Sequence, residues 1–129
     1  MRLLLDTHAL WWTFSEPTRL SDDARTAIFD SRTELLYSPV TPWELATKHH
    51  RGRFPEVGAL LRAFPESASR IRATELAIAS RHGLLAGRLE WDHRDPFDRM
   101  LAAQSILEGA RLVTADRAFS TLPGVDIFW

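Results

Sequence analysis

Short apolar runs that lead directly into acids constrain this chain more than any other feature. Arg2-Leu3-Leu4-Leu5-Asp6 opens it in this way, and Leu112-Val113-Thr114-Ala115-Asp116 repeats the pattern near its end. A run this short, apolar throughout and bounded by an acid, fits a strand buried on both faces. Similar runs occupy residues 35–38, 111–114 and 125–128, with a weaker one at 70–73. Between them lie segments with helical punctuation. Residues 7–14 read as a helix, and 21–31 as a second that starts from a capping serine, Ser21. Residues 41–52 carry Thr41 as cap, Pro42 in the first turn and Gly52 as stop. Residues 57–64 and 74–85 follow, then 95–108, opened by Asp95-Pro96 and closed by Gly109. Strands alternating with helices build parallel βαβ units, so the expected class is α/β, a parallel sheet with helices on both faces. Ligands of such sheets bind beyond the carboxyl ends of the strands, where the strand order reverses.

Composition narrows the chemistry. A length of 129 residues suits one domain over residues 1–129. With no cysteine there is neither a disulfide framework nor a thiolate metal site, so any metal here takes oxygen or imidazole ligands. A formal net charge of −1 does not mark a nucleic-acid binder. Lys48 is the only lysine, and the arginine bias suits bidentate phosphate contacts as well as it suits Arg-rich codon usage. No apolar run reaches the roughly 18 residues needed to cross a bilayer, and Asp6 interrupts the N-terminus too early for a signal peptide. Cytoplasmic location is the expectation.

Four acids fall at or just beyond strand ends, or in the first turn of the next helix: Asp6, Glu44, Asp98 and Asp116. In a parallel sheet all four approach one edge. Carboxylates gathered there repel one another unless a positive charge sits among them. A hard divalent cation such as Mg²⁺ answers that need with a few carboxylates and several waters. Such a centre serves metal-assisted attack on a phosphodiester. Each acid also has a local explanation. Thr41-Pro42-Trp43-Glu44 makes a capping box, Asp95 and Asp98 suit a helix start, and Asp116 can cap a short terminal helix. Asp6 is the hardest to explain locally unless it caps the following helix.

Lesser candidates surround them. The hydroxyls of Thr7 and Thr114 can orient a carboxylate, bind phosphate, or simply cap. Arg94 and Arg99 flank the third acid and suit either RNA phosphates or a solvated surface. His8 and His93 neighbour acids, but no two histidines have metal-ligand spacing, which disfavours a zinc hydrolase. His49 and His50 fit a solvated face, and Trp11, Trp12 and Trp43 fit core or interface better than base stacking. A phosphotransfer receiver domain also carries acids at strand ends, but it expects a lysine after the last strand, and Lys48 lies mid-chain.

The motifs carry a family resemblance. Leu3-Leu4-Leu5-Asp6-Thr7-His8 resembles the opening strand and first acid of PIN domains, and Thr41-Pro42-Trp43-Glu44-Leu45-Ala46-Thr47-Lys48 their second-acid segment. His93-Arg94-Asp95-Pro96-Phe97-Asp98-Arg99-Met100-Leu101-Ala102-Ala103-Gln104 resembles the third-acid helix of a subgroup of VapC-like toxins, and Leu112-Val113-Thr114-Ala115-Asp116 the last strand and fourth acid. The resemblance runs from end to end. It implies a PIN-like fold with a five-stranded parallel sheet and an acidic pocket that binds Mg²⁺ or Mn²⁺. It also implies cleavage of single-stranded RNA, a homodimer, and inhibition by a cognate antitoxin, for which Trp11, Trp12, Phe128 and Trp129 are anchor candidates. Carried over motif by motif, Asp6, Glu44, Asp98 and Asp116 take the four acidic positions, with Asp6 and Asp98 as first metal ligands and Glu44 and Asp116 as ligands directly or through waters, positioning a second ion or the attacking water. Asp95 is an addition, either helix cap or accessory ligand. Rival readings within the resemblance are a catalytically inactive PIN-like interaction module and a DNA nuclease of related fold.

Overall fold

A computed structural model describes residues 1–129. Five strands form one all-parallel sheet: β1 (Arg2–Leu5), β2 (Glu34–Tyr37), β3 (Ala73–Glu75), β4 (Arg111–Val113) and β5 (Ile127–Phe128), in the order β3-β2-β1-β4-β5. Seven helices join them: α1 (Thr7–Ser15), α2 (Asp22–Phe29), α3 (Val40–His50), α4 (Gly58–Arg62), α5 (Phe64–Arg70), α6 (Ser80–Arg88) and α7 (Pro96–Glu108).

β1 is central because it is apolar on both faces. Its leucines alternate between two cores, as the two-residue period of a strand requires. Leu3 and Leu5 join α1, α2, α4 and α5 on one face, packed with Leu10, Ile28, Leu60 and Phe64. Leu4 joins α7 on the other, packed with Leu101, Leu112 and Phe119. All three leucines are wholly buried. The expected α/β sheet with helices on both faces is therefore present. The chain fills one side of β1 with β2 and β3, then crosses to the other for β4 and β5. The strand order thus reverses between β1 and β4, and a cleft opens at their carboxyl ends. A backbone bond of 3.1 Å from Asp6 N to Val113 O closes the seam between these two strands.

Several elements differ from the expectation. Residues 74–85 are not one helix. Thr74 and Glu75 pair with Leu36 and Tyr37 as the sheet edge, and the helix starts only at Ser80. Here pairing with β2 outweighs helix propensity, and Gln104 Nε2 on α7 holds the intervening loop by donating to Leu76 O at 3.0 Å. The weak strand anticipated at 70–73 accordingly lies at Ala73–Glu75. Residues 57–64 divide at Ala63 (φ −137°, ψ 45°), and α5 begins just ahead of Pro65, which cannot donate into a preceding turn. α3 starts at Val40, one residue before Thr41. Ser38 supplies the capping oxygen instead, accepting from Val40 N at 3.2 Å. By contrast α7 follows its punctuation closely. Asp95 Oδ1 accepts from Phe97 N at 2.8 Å and Asp98 N at 3.3 Å, and Gly109 closes the helix in the left-handed region (φ 61°, ψ 31°).

A Cβ at Gly109 meets nothing within 4 Å, so its replacement carries only backbone strain. Gly109→Ala is expected to cost about 1 kcal/mol. Thermal unfolding would show this as a Tm lower by roughly 3–5 °C, with cleft chemistry unchanged.

Candidate metal centre

β1 ends directly in Asp6, which also caps α1: Oδ1 accepts from Ala9 N at 2.7 Å. The cap explains the orientation of one oxygen but not the burial of the group, only 6% exposed. β4 runs out through Thr114 to Asp116, whose amide donates to Thr114 Oγ1 at 3.0 Å. Asp116 Oδ1 in turn caps the short 3-10 turn Arg117–Thr121, accepting from Ala118 N at 2.9 Å. Asp98 stands in the first turn of α7. Asp6, Glu44, Asp95, Asp98 and Asp116 line a single cleft of about 250 Å³, together with Thr7, His8, Lys48, His93 and Phe119. All four acids singled out in the sequence, and the accessory Asp95, are thereby brought together.

Glu44 corrects the capping-box reading. It lies on the fifth residue of α3, 7% exposed, and does not reach back to the helix start. Its Oε1 accepts from Thr7 Oγ1 at 2.7 Å and its Oε2 from Lys48 Nζ at 2.7 Å. Thr7 therefore orients a carboxylate rather than capping a helix, and Thr41, wholly buried, lies 3.4 Å from the Thr7 hydroxyl. Lys48 was not singled out in the sequence as a cleft residue. The four-residue step from Glu44 to Lys48 on one helix was the available signal.

His93 joins the cleft as a lone histidine, for which sequence spacing carries no metal-ligand signature. Its Nε2 lies 2.7 Å from Asp98 Oδ2. Ligand atoms of His93, Asp95 and Asp98 all fall within 4.8 Å of one another. Arg99 has a different task from the phosphate contact weighed for it. It donates to the carbonyls of Ala86, Leu89, Trp91 and His93 at 2.8–3.0 Å, binding the loop ahead of α7 to that helix. Arg94 remains exposed. His49 and His50 are exposed as anticipated. Trp11 and Trp12 pack partly buried against the core, and Trp12 meets Trp129 at 6.0 Å. Trp43 is 60% exposed, edge-on to Phe97.

Electrostatics mark two acids. Burial pushes the Asp6 carboxyl from 3.8 to about 6, with the charges of Asp116 and Glu44 adding to it against the Thr114 hydroxyl and the Ala9 amide. Asp98 also rises to about 6, mainly through burial and further through Asp95 and Glu44, against its bond to His93. Five carboxylates face one ammonium in this cleft, and that ammonium is engaged with Glu44. A donor set of oxygens with one imidazole, strained by its own repulsion, fits a divalent cation.

The chain matches the PIN domain family over residues 3–125. Ribonuclease VapC22 of Mycobacterium tuberculosis is 32% identical to it over 117 residues, covering 89% of this chain and 87% of that relative. A chain of the crystal structure of VapBC2 from Rickettsia felis, bound to a DNA fragment from its promoter, superposes with a TM-score of 0.70 at 14% identity, covering 99% of this chain and 98% of that one. DNA-bound VapBC from Salmonella typhimurium gives 0.69 at 21% identity, covering 99% and 97%. At these identities the two structures speak to fold. The chain belongs to the PIN-domain family and, within it, to the VapC type. The cleft described here has the donors for a divalent metal.

The raised Asp6 value sets a stability test. Between pH 3.8 and about 6 the folded chain holds a proton on Asp6 that the unfolded chain has released, so stability falls as pH rises through this window. The full effect is about 3 kcal/mol. Asparagine keeps the cap oxygen without the charge. In EDTA, Asp6→Asn should match the parent protein below pH 4 and melt several degrees above it beyond pH 6. Saturating Mg²⁺ or Mn²⁺ should shrink the difference. An equal difference at every pH would refute the electrostatic account.

Proposed function

We propose that this protein is a metal-dependent endoribonuclease, the toxin of a toxin–antitoxin pair, hydrolysing single-stranded or loop RNA. The observation that carries the reading is the cleft at the β1–β4 switch point, with five carboxylates and no cysteine nucleophile. The VapC22 relative, named as a ribonuclease, supports the activity, and the likeness to VapBC complexes supports an antitoxin partner. Asp6 and Asp98 would hold Mg²⁺ or Mn²⁺ directly, with Asp116 beside them. Such a cation supplies Lewis-acid activation of the scissile phosphate and of the attacking water.

The chain's own residues prepare the rest. The raised values of Asp6 and Asp98 mean that charge is costly here until a cation arrives. Glu44, fixed at both oxygens by Thr7 and Lys48, would position a second ion or the attacking water. Thr114 holds the Asp116 backbone and steadies the turn that carries it. Arg94, exposed just ahead of α7, would contact RNA phosphates. In-line attack by water leaves a 5′-phosphate and a 3′-hydroxyl. A homodimer acting in the cytoplasm belongs to the same proposal, as does an antitoxin seated over the cleft or on the aromatic surface of Trp11, Trp12, Phe128 and Trp129.

Cleavage of labelled single-stranded RNA tests this. Purified protein should cut with Mg²⁺ or Mn²⁺ and not in EDTA, and Asp98→Asn should cut at least about 100-fold more slowly. Asp95→Asn, keeping the helix cap, should lose less. Products ending in a 2′,3′-cyclic phosphate would rule out attack by water. Cutting of DNA in preference to RNA would favour the DNA nuclease.

A further inference from the structure

Every acid in the cleft offers oxygen, and His93 adds a nitrogen to the same cluster. Its Nε2 is 2.7 Å from Asp98 Oδ2. Two ligand atoms bound at right angles to one ion, each about 2.1 Å from it, lie about 3 Å apart. The separation is thus already close to that of two adjacent ligands, and taking up an ion asks the carboxylate to turn aside from the nitrogen lone pair. Asp95 extends the set. Its Oδ1 is occupied by two amides of the helix start, yet the residue still places a ligand atom within 4.8 Å of those of His93 and Asp98. The imidazole is also held. Its ring packs 4.8 Å from that of Trp91, and Arg99 Nη1 donates to the His93 carbonyl at 3.0 Å while its other bonds fix Ala86, Leu89 and Trp91. A guanidinium spent wholly on four carbonyls fits a need to fix this loop, and with it the histidine.

We propose that the cation bound at Asp98 takes His93 Nε2 as a ligand, beside Asp98 and Asp95, and that this nitrogen makes the centre prefer Mn²⁺ to Mg²⁺. Imidazole suits transition-metal ions, whereas Mg²⁺ favours oxygen and water. The inference rests on reading the cleft as a divalent-metal centre. It assigns His93 a task that the four-acid pattern does not contain. His8 lines the same cleft but is exposed, leans on Trp12 at 5.6 Å and lies outside the three-residue cluster. It is the natural control.

The test is pulsed electron paramagnetic resonance on the full chain loaded with Mn²⁺, with and without ¹⁵N-histidine. The expected result is a coupling from a directly bound nitrogen that changes with the isotope, vanishes in His93→Gln and persists in His8→Gln. Binding titrations run alongside, with melting curves to verify that each variant folds. His93→Gln should lose Mn²⁺ affinity by about tenfold or more and Mg²⁺ affinity by less than about threefold. Stoichiometric Mn²⁺ without nitrogen coupling, or equal losses for both ions, would overturn His93 as a ligand and leave it orienting Asp98 by a hydrogen bond. Failure of the parent protein to bind Mn²⁺ at all would instead overturn the metal-centre reading, and this inference with it.

Discussion

Burial of carboxylates at the ends of the central strands, with their mutual repulsion added to it, is the constraint on which this cleft depends. Asp6 is buried at the end of a strand packed on both faces, and four more acids converge on it from α3, the start of α7 and the turn after β4. A fold optimised only for stability would put none of them there. Burial holds Asp6 and Asp98 near 6, so each carries a cost at neutral pH that the cores on either side of β1 must offset. A cation bound there would convert that cost into affinity. Strain at a functional site, supported by a well-packed scaffold, is the expected pattern for a chain whose sequence otherwise agrees with its fold.

The surrounding polar groups limit the damage without removing it. Lys48 and Thr7 satisfy both oxygens of Glu44, so one acid of the set is neutralised by the protein itself. Helix and turn starts take one oxygen each from Asp6, Asp95 and Asp116. Capping and metal binding are compatible uses of the same residues, because a cap consumes one oxygen and leaves the other. For Asp6, Asp95 and Asp116 the local role as a cap is therefore present, and it leaves an oxygen free for a cation.

Much of this was legible in the sequence. β1, α2 with its Ser21 cap and α7 with its Asp95 and Gly109 ends carry strong local signals that tertiary contacts do not override. The residues of the cleft were legible because each sits at a strand end or helix start, where sequence punctuation is clearest. What was not legible depended on distant partners. Thr74 and Glu75 are strand only because β2 lies beside them. The tasks of Thr7, Lys48 and Arg99 follow from contacts across elements or loops that spacing alone leaves ambiguous. His93 was visible beside the acids, but its alignment with Asp98 depends on the loop that Arg99 fixes.

The most direct measurement is anomalous diffraction from crystals grown with Mn²⁺, collected above and below the manganese edge. A manganese peak is expected within the cleft, among Asp6, Asp98 and Asp116, with those carboxylates turned toward it. A peak confined to other surface acids, or an empty cleft at saturating Mn²⁺ with Asp6 and Asp98 unmoved, would contradict the claim that this edge of the sheet is built to hold a cation.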